Sequence, residues 1–222
     1  FDIAYETSSG DAIVLYSTNA ATNELAYRTK PGASACGTTN WSAATVFDSP
    51  GTTGIVQWVK VAWDKRSASN NIAAIWADAN RDLQAAVWSG TAWTQRTTAL
   101  EISLEIVTTA QDVDDFDVEY ESLSGDVVVV WANSLGANGT NGSRYSNCVG
   151  GTSACTWSAA TAIPLLADDA TNLDLASNPN TDQMLFASIG NGGSDLQEQQ
   201  WNGTAWLASC TGCANRDVSS GT

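Results

Sequence analysis

The chain contains no histidine, a single methionine, four prolines and only 9 Lys plus Arg among its 222 residues. Without histidine, Ser-His-Asp and Cys-His catalysis, His-bearing zinc sites and Cys-x-x-Cys-His haem attachment are all excluded. The few bases form no cluster and face 24 Asp plus Glu, for a formal net charge of −15. Such a field repels phosphate backbones and anionic membranes, so nucleic acid is not expected as a partner. Apolar runs such as "AAIW" and "VVVVW" are strand-sized and far short of a membrane span, so no membrane insertion is expected.

What is present is 10 Trp, 18 Gly and five Cys. Aromatic and β-branched residues suit pleated surfaces, and the composition leans to an all-β domain. Five Cys, almost no Met and a first residue that is Phe rather than Met set the expectation of an extracellular or cell-surface protein.

The sequence repeats itself. "FDIAYETSSGD" at Phe1 returns as "FDVEYESLSGD" at Phe116. In register with that pair, "WSAAT" occurs at Trp41 and Trp157, and "DLQAAVWSGTAW" ends at Trp93 as "DLQEQQWNGTAW" ends at Trp206. The chain therefore reads as two copies of one unit, 1–115 and 116–222. Each copy divides again. "FDIAY", "VKVAW", "FDVEY" and "LDLAS" share a period-2 apolar pattern, and each leads through a polar turn to "AIVLYS", "IAAIWA", "VVVVWA" or "MLFAS". These second runs are apolar at nearly every position, as strands covered on both faces are.

Third segments ("NELAYRT", "DLQAAVW", "SRYSNCV", "DLQEQQW") and Trp-bearing fourth segments ("NWSAATVF", "TAWTQR", "TWSAATAI", "TAWLAS") complete each unit. Gly and Asn mark the turns between them. Four-stranded units of this length with recurrent Trp and Gly predict a β-propeller. The expectation is one all-β propeller domain, 1–222, of four blades with four antiparallel strands each, about 1–54, 55–115, 116–172 and 173–222. These blades either close by themselves or form part of a larger propeller. The segment Ala99–Asp115 is out of pattern; its alternating Leu100, Ile102, Leu104 and Ile106 read as an extra strand or a crossover.

The two "GTAW" hairpins resemble the end of the Asp-box (BNR) hairpin of sialidase-type propellers, and "WSGTAW" and "WNGTAW" also resemble blades of fungal fucose-binding propeller lectins. The Ser-x-Asp half of the Asp-box is missing, so the resemblance implies the fold more than a function. Sialidase-like catalysis would need an arginine cluster on the inner strands. Arg28, Arg66, Arg81, Arg96, Arg144 and Arg216 all fall outside the first and second strands of the blades, so no enzyme is expected.

Asp2, Asp117 and Asp174 recur at one inner-strand position, where the second blade has Lys60. They either gather around a cation, Ca²⁺ by their oxygen chemistry, or accept backbone hydrogen bonds as a device repeated along the chain; the second is the expectation. Trp88, Trp93, Trp201 and Trp206 are either sugar-stacking platforms or packing of the outer hairpin, with repetition favouring packing. Cys148 and Cys155 flank a hairpin loop and suit a disulfide, as do Cys210 and Cys213 in "CTGC". Cys36 is left over as a buried thiol, a partner in a rearranged pairing or an intermolecular link. Asn40, Asn138, Asn141 and Asn202 lie in glycosylation sequons.

Three functions follow in order of expectation. The first is a non-enzymatic extracellular structural or adhesive propeller, a subunit of a surface polymer or filament that self-associates through Cys36 or the Leu100–Ile106 strand. The second is a glycan-binding lectin using the repeated Trp hairpins. The third is a propeller of glycoside-hydrolase type.

Overall fold

A computed structural model describes residues 1–35, 37–49, 54–102, 115–133, 143–164, 166, 170–190 and 196–207. The strands form four antiparallel sheets in chain order. The first holds β1 (Asp2–Tyr5), β2 (Ala12–Ser17), β3 (Leu25–Lys30) and β4 (Thr45–Phe47). The second holds β5 (Val56–Trp63), β6 (Ile72–Asp78), β7 (Leu83–Trp88) and β8 (Trp93–Gln95). The third holds β9 (Phe116–Tyr120), β10 (Val127–Ala132), β11 (Ser143–Cys148) and β12 (Thr161–Ala162). In the fourth sheet, β13 (Ala170–Ser177), β14 (Met184–Gly190) and β15 (Leu196–Trp201) are followed by a single bridge from Trp201 to Trp206 where a fourth strand was expected.

Each sheet is an up-and-down meander, and the strand-one registers superimpose across the repeats. Asp2 pairs with Leu15, Lys60 with Ile75, Asp117 with Val130 and Asp174 with Ala187. The inner strands β1, β5, β9 and β13 pack side by side, each on the next; among the described residues, β13 and β1 do not share this packing. The start of the out-of-pattern segment adds to the second sheet, where Leu100 N donates to Leu83 O at 2.7 Å and Leu83 N to Glu101 O at 2.8 Å. Its remainder, 103–114, lies outside the described residues.

The core consists of the three junctions between sheets. Ala4, Ile13, Leu15 and Leu25 of the first sheet meet Ile72, Ala74, Trp76 and Trp88 of the second. Ala62, Ala73, Ile75 and Leu83 of the second meet Phe116, Val118, Val129 and Trp131 of the third. Val128, Val130 and Ala132 then meet Leu173, Leu175, Met184 and Phe186 of the fourth. A middle sheet is thus covered on both faces, which is why β6 and β10 are buried at every position.

Polar groups tie the same junctions. Asp2 Oδ2 accepts from Val61 N and Asp117 Oδ2 from Leu175 N, each at 2.8 Å. In parallel, Glu6 Oε1 accepts from Trp88 Nε1 at 2.6 Å and Glu121 Oε1 accepts from Trp201 Nε1. The junction between sheets two and three differs because Lys60 and Asp64 replace the Asp and Glu. Lys60 Nζ lies 3.6 Å from Asp117, and Arg66, paired with buried Asp64 at 2.6 Å, donates to Ser124 O. Gly125 permits that reach: its φ is +75°, and a Cβ there would fall 1.9 Å from the guanidinium carbon. The two kinds of junction alternate, which is the structural meaning of the duplication.

Candidate functional site

A cleft of about 300 Å³ opens between the outer edges of the second and third sheets. One wall is β8 and the residues after it, including Thr94, Gln95, Arg96 and Thr97. The other is the loop between β11 and β12, with Thr152, Ser153, Thr156 and Trp157. That loop is fixed at its base. Cys148 and Cys155 form a disulfide, Gly150 and Gly151 take positive φ, Ser146 Oγ donates to Ser158 O at 2.8 Å, and Cys148 bridges to Trp157.

Trp157 is half-buried, packed on the sheet two to three core and lining the cleft. Arg96 is held by the segment that follows it, with Ala99 O among the acceptors of its Nη1. Its N donates to Ala85 O at 2.9 Å, and its Nη1 donates to Thr98 O at 2.6 Å and Thr98 Oγ1 at 3.0 Å. Burial pulls its pKa down from the ordinary arginine value. The cleft therefore offers one aromatic surface, one guanidinium and several hydroxyls, a set that matches a ligand with an apolar C–H face and hydrogen-bonding rim.

The tryptophans singled out from the sequence lie elsewhere. Trp88, Trp201 and Trp206 are buried, and Trp93 is half-buried. Trp88 and Trp93 pack at 5.5 Å with Tyr27 against Trp88 at 5.3 Å, and Trp201 and Trp206 pack at 5.5 Å with Tyr145 at 5.6 and 5.8 Å. Trp88 Nε1 is tied to Glu6 and Trp201 Nε1 to Glu121, and all four rings pack against other aromatic rings at the junctions between sheets.

The inner-strand carboxylates are separated by function. Asp2 is engaged at the first junction, while Asp117 lies beside Asp174 and 3.6 Å from the Lys60 ammonium. Burial first, then the proximity of Asp174, raises the Asp117 pKa to about 7 against the opposing pull of Lys60 and the N–H groups of Leu175 and Val118. Among the described residues, no group of three or more His, Cys, Asp or Glu could hold a metal ion. Cys36, Cys210 and Cys213, with Asn138, Asn141 and Arg216, lie outside the described residues.

Neither Arg96 nor Trp157 was read from sequence as part of a binding site. Trp157 was visible only as a member of the "WSAAT" repeat, and nothing in the sequence brings it to Arg96, which belongs to a different sheet. The signal available was the Cys148–Cys155 pair, which marked the loop as held.

The sequence matches no protein-family model and no curated protein. Solved structures share the fold. A lectin of Burkholderia pseudomallei, BP39L, matches with a TM-score of 0.57 and 13% identity over 92% of this chain and 52% of its own. The Aleuria aurantia fungal lectin, a six-bladed β-propeller with a fucose recognition mode, matches at 0.51 and 12% over 91% of this chain and 59% of its own. The intramolecular trans-sialidase of Ruminococcus gnavus matches at 0.50 and 12%, over 90% and 42%. The chain is thus an all-β protein of four antiparallel sheets whose structural neighbours are β-propellers, and it spans about half the length of the lectins it resembles.

Proposed function

We propose that this protein is a carbohydrate-binding propeller lectin that holds a sugar in the cleft between blades two and three. The observation that carries the reading is the pairing of Trp157 with Arg96 and a rim of Thr and Ser hydroxyls in a cleft fixed by a disulfide. The indole takes the C–H face of a pyranose ring, and Arg96, Gln95 and the hydroxyls take its oxygens. The lectin neighbours favour this reading over the structural subunit placed first from the sequence. The Cys148–Cys155 disulfide fits an oxidising, extracellular setting.

Trp157→Ala is expected to weaken glycan binding at least tenfold, about 1.4 kcal/mol, while Trp93→Ala leaves affinity within a factor of about two. Titration calorimetry with the best-bound sugar of a glycan array measures both, and thermal melts verify that each variant is folded. Full affinity in folded Trp157→Ala, or a blank array, removes the cleft from consideration.

A further inference from the structure

Basic side chains from the second sheet are matched by carboxylates where it meets the third. Lys60 Nζ lies 3.6 Å from Asp117, Lys65 Nζ 3.1 Å from Glu119, and Arg66 Nη2 2.6 Å from Asp64. Arg96, on the cleft wall at the outer end of the same junction, has no such partner among the described residues.

The two arginines differ in one edge of the guanidinium. In Arg66, Nε lies 3.0 and 3.1 Å from the two Asp64 oxygens and Nη2 lies 2.6 Å from one of them, while Nη1 donates to a backbone carbonyl, Ser124 O. Arg96 repeats only the second half of that pattern. Its Nη1 donates to Thr98 O, Thr98 Oγ1 and Ala99 O, and its Nε and Nη2 donate to no group among the described residues. Nη1 has two hydrogens and is thereby filled, so the edge left over is the planar two-donor fork that fits a carboxylate.

The surroundings suit an anion at the same place. The chain carries 24 Asp plus Glu, yet among the described residues none of them lines the cleft. Thr94, Thr97, Thr152, Ser153 and Thr156 line it with hydroxyls, which can donate to an oxyanion. Burial alone lowers the Arg96 pKa, with no carboxylate acting in opposition, whereas the hydrogen bond to Asp64 is the main influence raising that of Arg66.

We infer that the sugar held in the cleft is acidic, a glycan whose carboxylate takes the Nε and Nη2 edge of Arg96 while its ring lies against Trp157. This rests on the lectin reading and adds the charge of the ligand. A uronic acid residue has the required parts, a C–H face for the indole and a carboxylate on the rim of the ring. A neutral hexose in the same pose offers the fork only uncharged oxygens, which make weaker hydrogen bonds.

An array of matched glycans tests it. Each uronic-acid-terminated oligosaccharide stands beside the hexose-terminated form, with CH2OH in place of the carboxylate, and beside that hexose sulfated on the same carbon. Titration calorimetry should show the uronic acid form bound about tenfold or more tighter than the hexose form, and tighter than the sulfated one. Arg96→Gln brings the ratio of uronic acid to hexose affinity within about twofold, and Arg96→Lys, which keeps the charge without the fork, restores part of it. Thermal melts verify folding, and the ratio in the parent protein needs no variant. Hexose forms bound as tightly as their uronic acid partners overturn the inference and leave the lectin reading standing. A preference that Arg96→Gln retains, or a sulfated form bound best, overturns it likewise. An array blank for every glycan removes both readings.

Discussion

Replacing Trp201 with alanine is expected to lower the unfolding midpoint by roughly 10 °C or more, at about 2–4 °C per kcal/mol for a chain of this size. Two losses combine. Removing a buried indole from a packed junction costs about 3–5 kcal/mol, and Trp201 is 2% exposed among Tyr145, Trp206 and the β10 valines. The Glu121 carboxylate also loses the donor that holds it. Its pKa is already raised, by burial first and then by Asp126 and Asp182, with Ser124 and Trp201 opposing. An orphaned buried acceptor costs about 1–3 kcal/mol. Trp201→Phe keeps most of the packing and loses the hydrogen bond, so it should recover half or more of the midpoint. If Trp201→Ala melted with the parent and lost only sugar binding, the indole would be a platform and its assignment to the junction would be wrong.

The protein is expected to be more stable at pH 5 than at pH 8, with Asp117 as the main source of the slope. The Asp117 carboxyl titrates near 7 in the folded chain, raised first by burial and further by Asp174, against about 3.9 when unfolded. Between these values the folded state holds the proton and the unfolded state has released it, so stability falls as pH rises from about 4 to about 7. The full interval corresponds to about 2–4 kcal/mol. Asp82, raised to about 6 by burial and by Asp78, adds in the same direction. Asp64 acts oppositely. Burial works against its charge, but hydrogen bonds from Arg66 and Ser69 hold its pKa below the ordinary value, so its contribution is lost only as pH falls through that depressed value. Maximum stability therefore sits in mild acid. Asp117→Asn keeps an oxygen for Leu175 N–H and offers Asp174 a donor, so it should flatten the slope and melt above the parent at pH 8. A parent profile that rises from pH 5 to 8, or a slope that Asp117→Asn leaves intact, contradicts this account.

The four sheets were legible because the duplication, the period-2 inner strands and the continuously apolar second strands all report the same geometry. The turns carried their own punctuation, as at Gly10 and Gly125, which both take positive φ. What the sequence hid was pairing between distant positions. Glu6 with Trp88 and Glu121 with Trp201 join residues of neighbouring blades, and the composition of either segment alone suggests only an exposed acid and a sticky indole. The cleft was hidden for the same reason, since Arg96 and Trp157 line one cleft only when two sheets stand side by side.

Because the apolar core joins each sheet to its neighbours in the row, stability in this chain is largely a nearest-neighbour property, as in a linear array. β6 and β10 are enclosed by a blade on each side, whereas β1 and β14 are enclosed on one. Native-state hydrogen exchange should therefore be slowest in β6 and β10 and quicken toward both ends, as sub-global opening peels the outer blades first. Uniform protection across all four blades would mean that the chain opens only as a whole. The gradient also gives the protein a graded response to load: the outer sheets yield before the two sheets that carry its cleft.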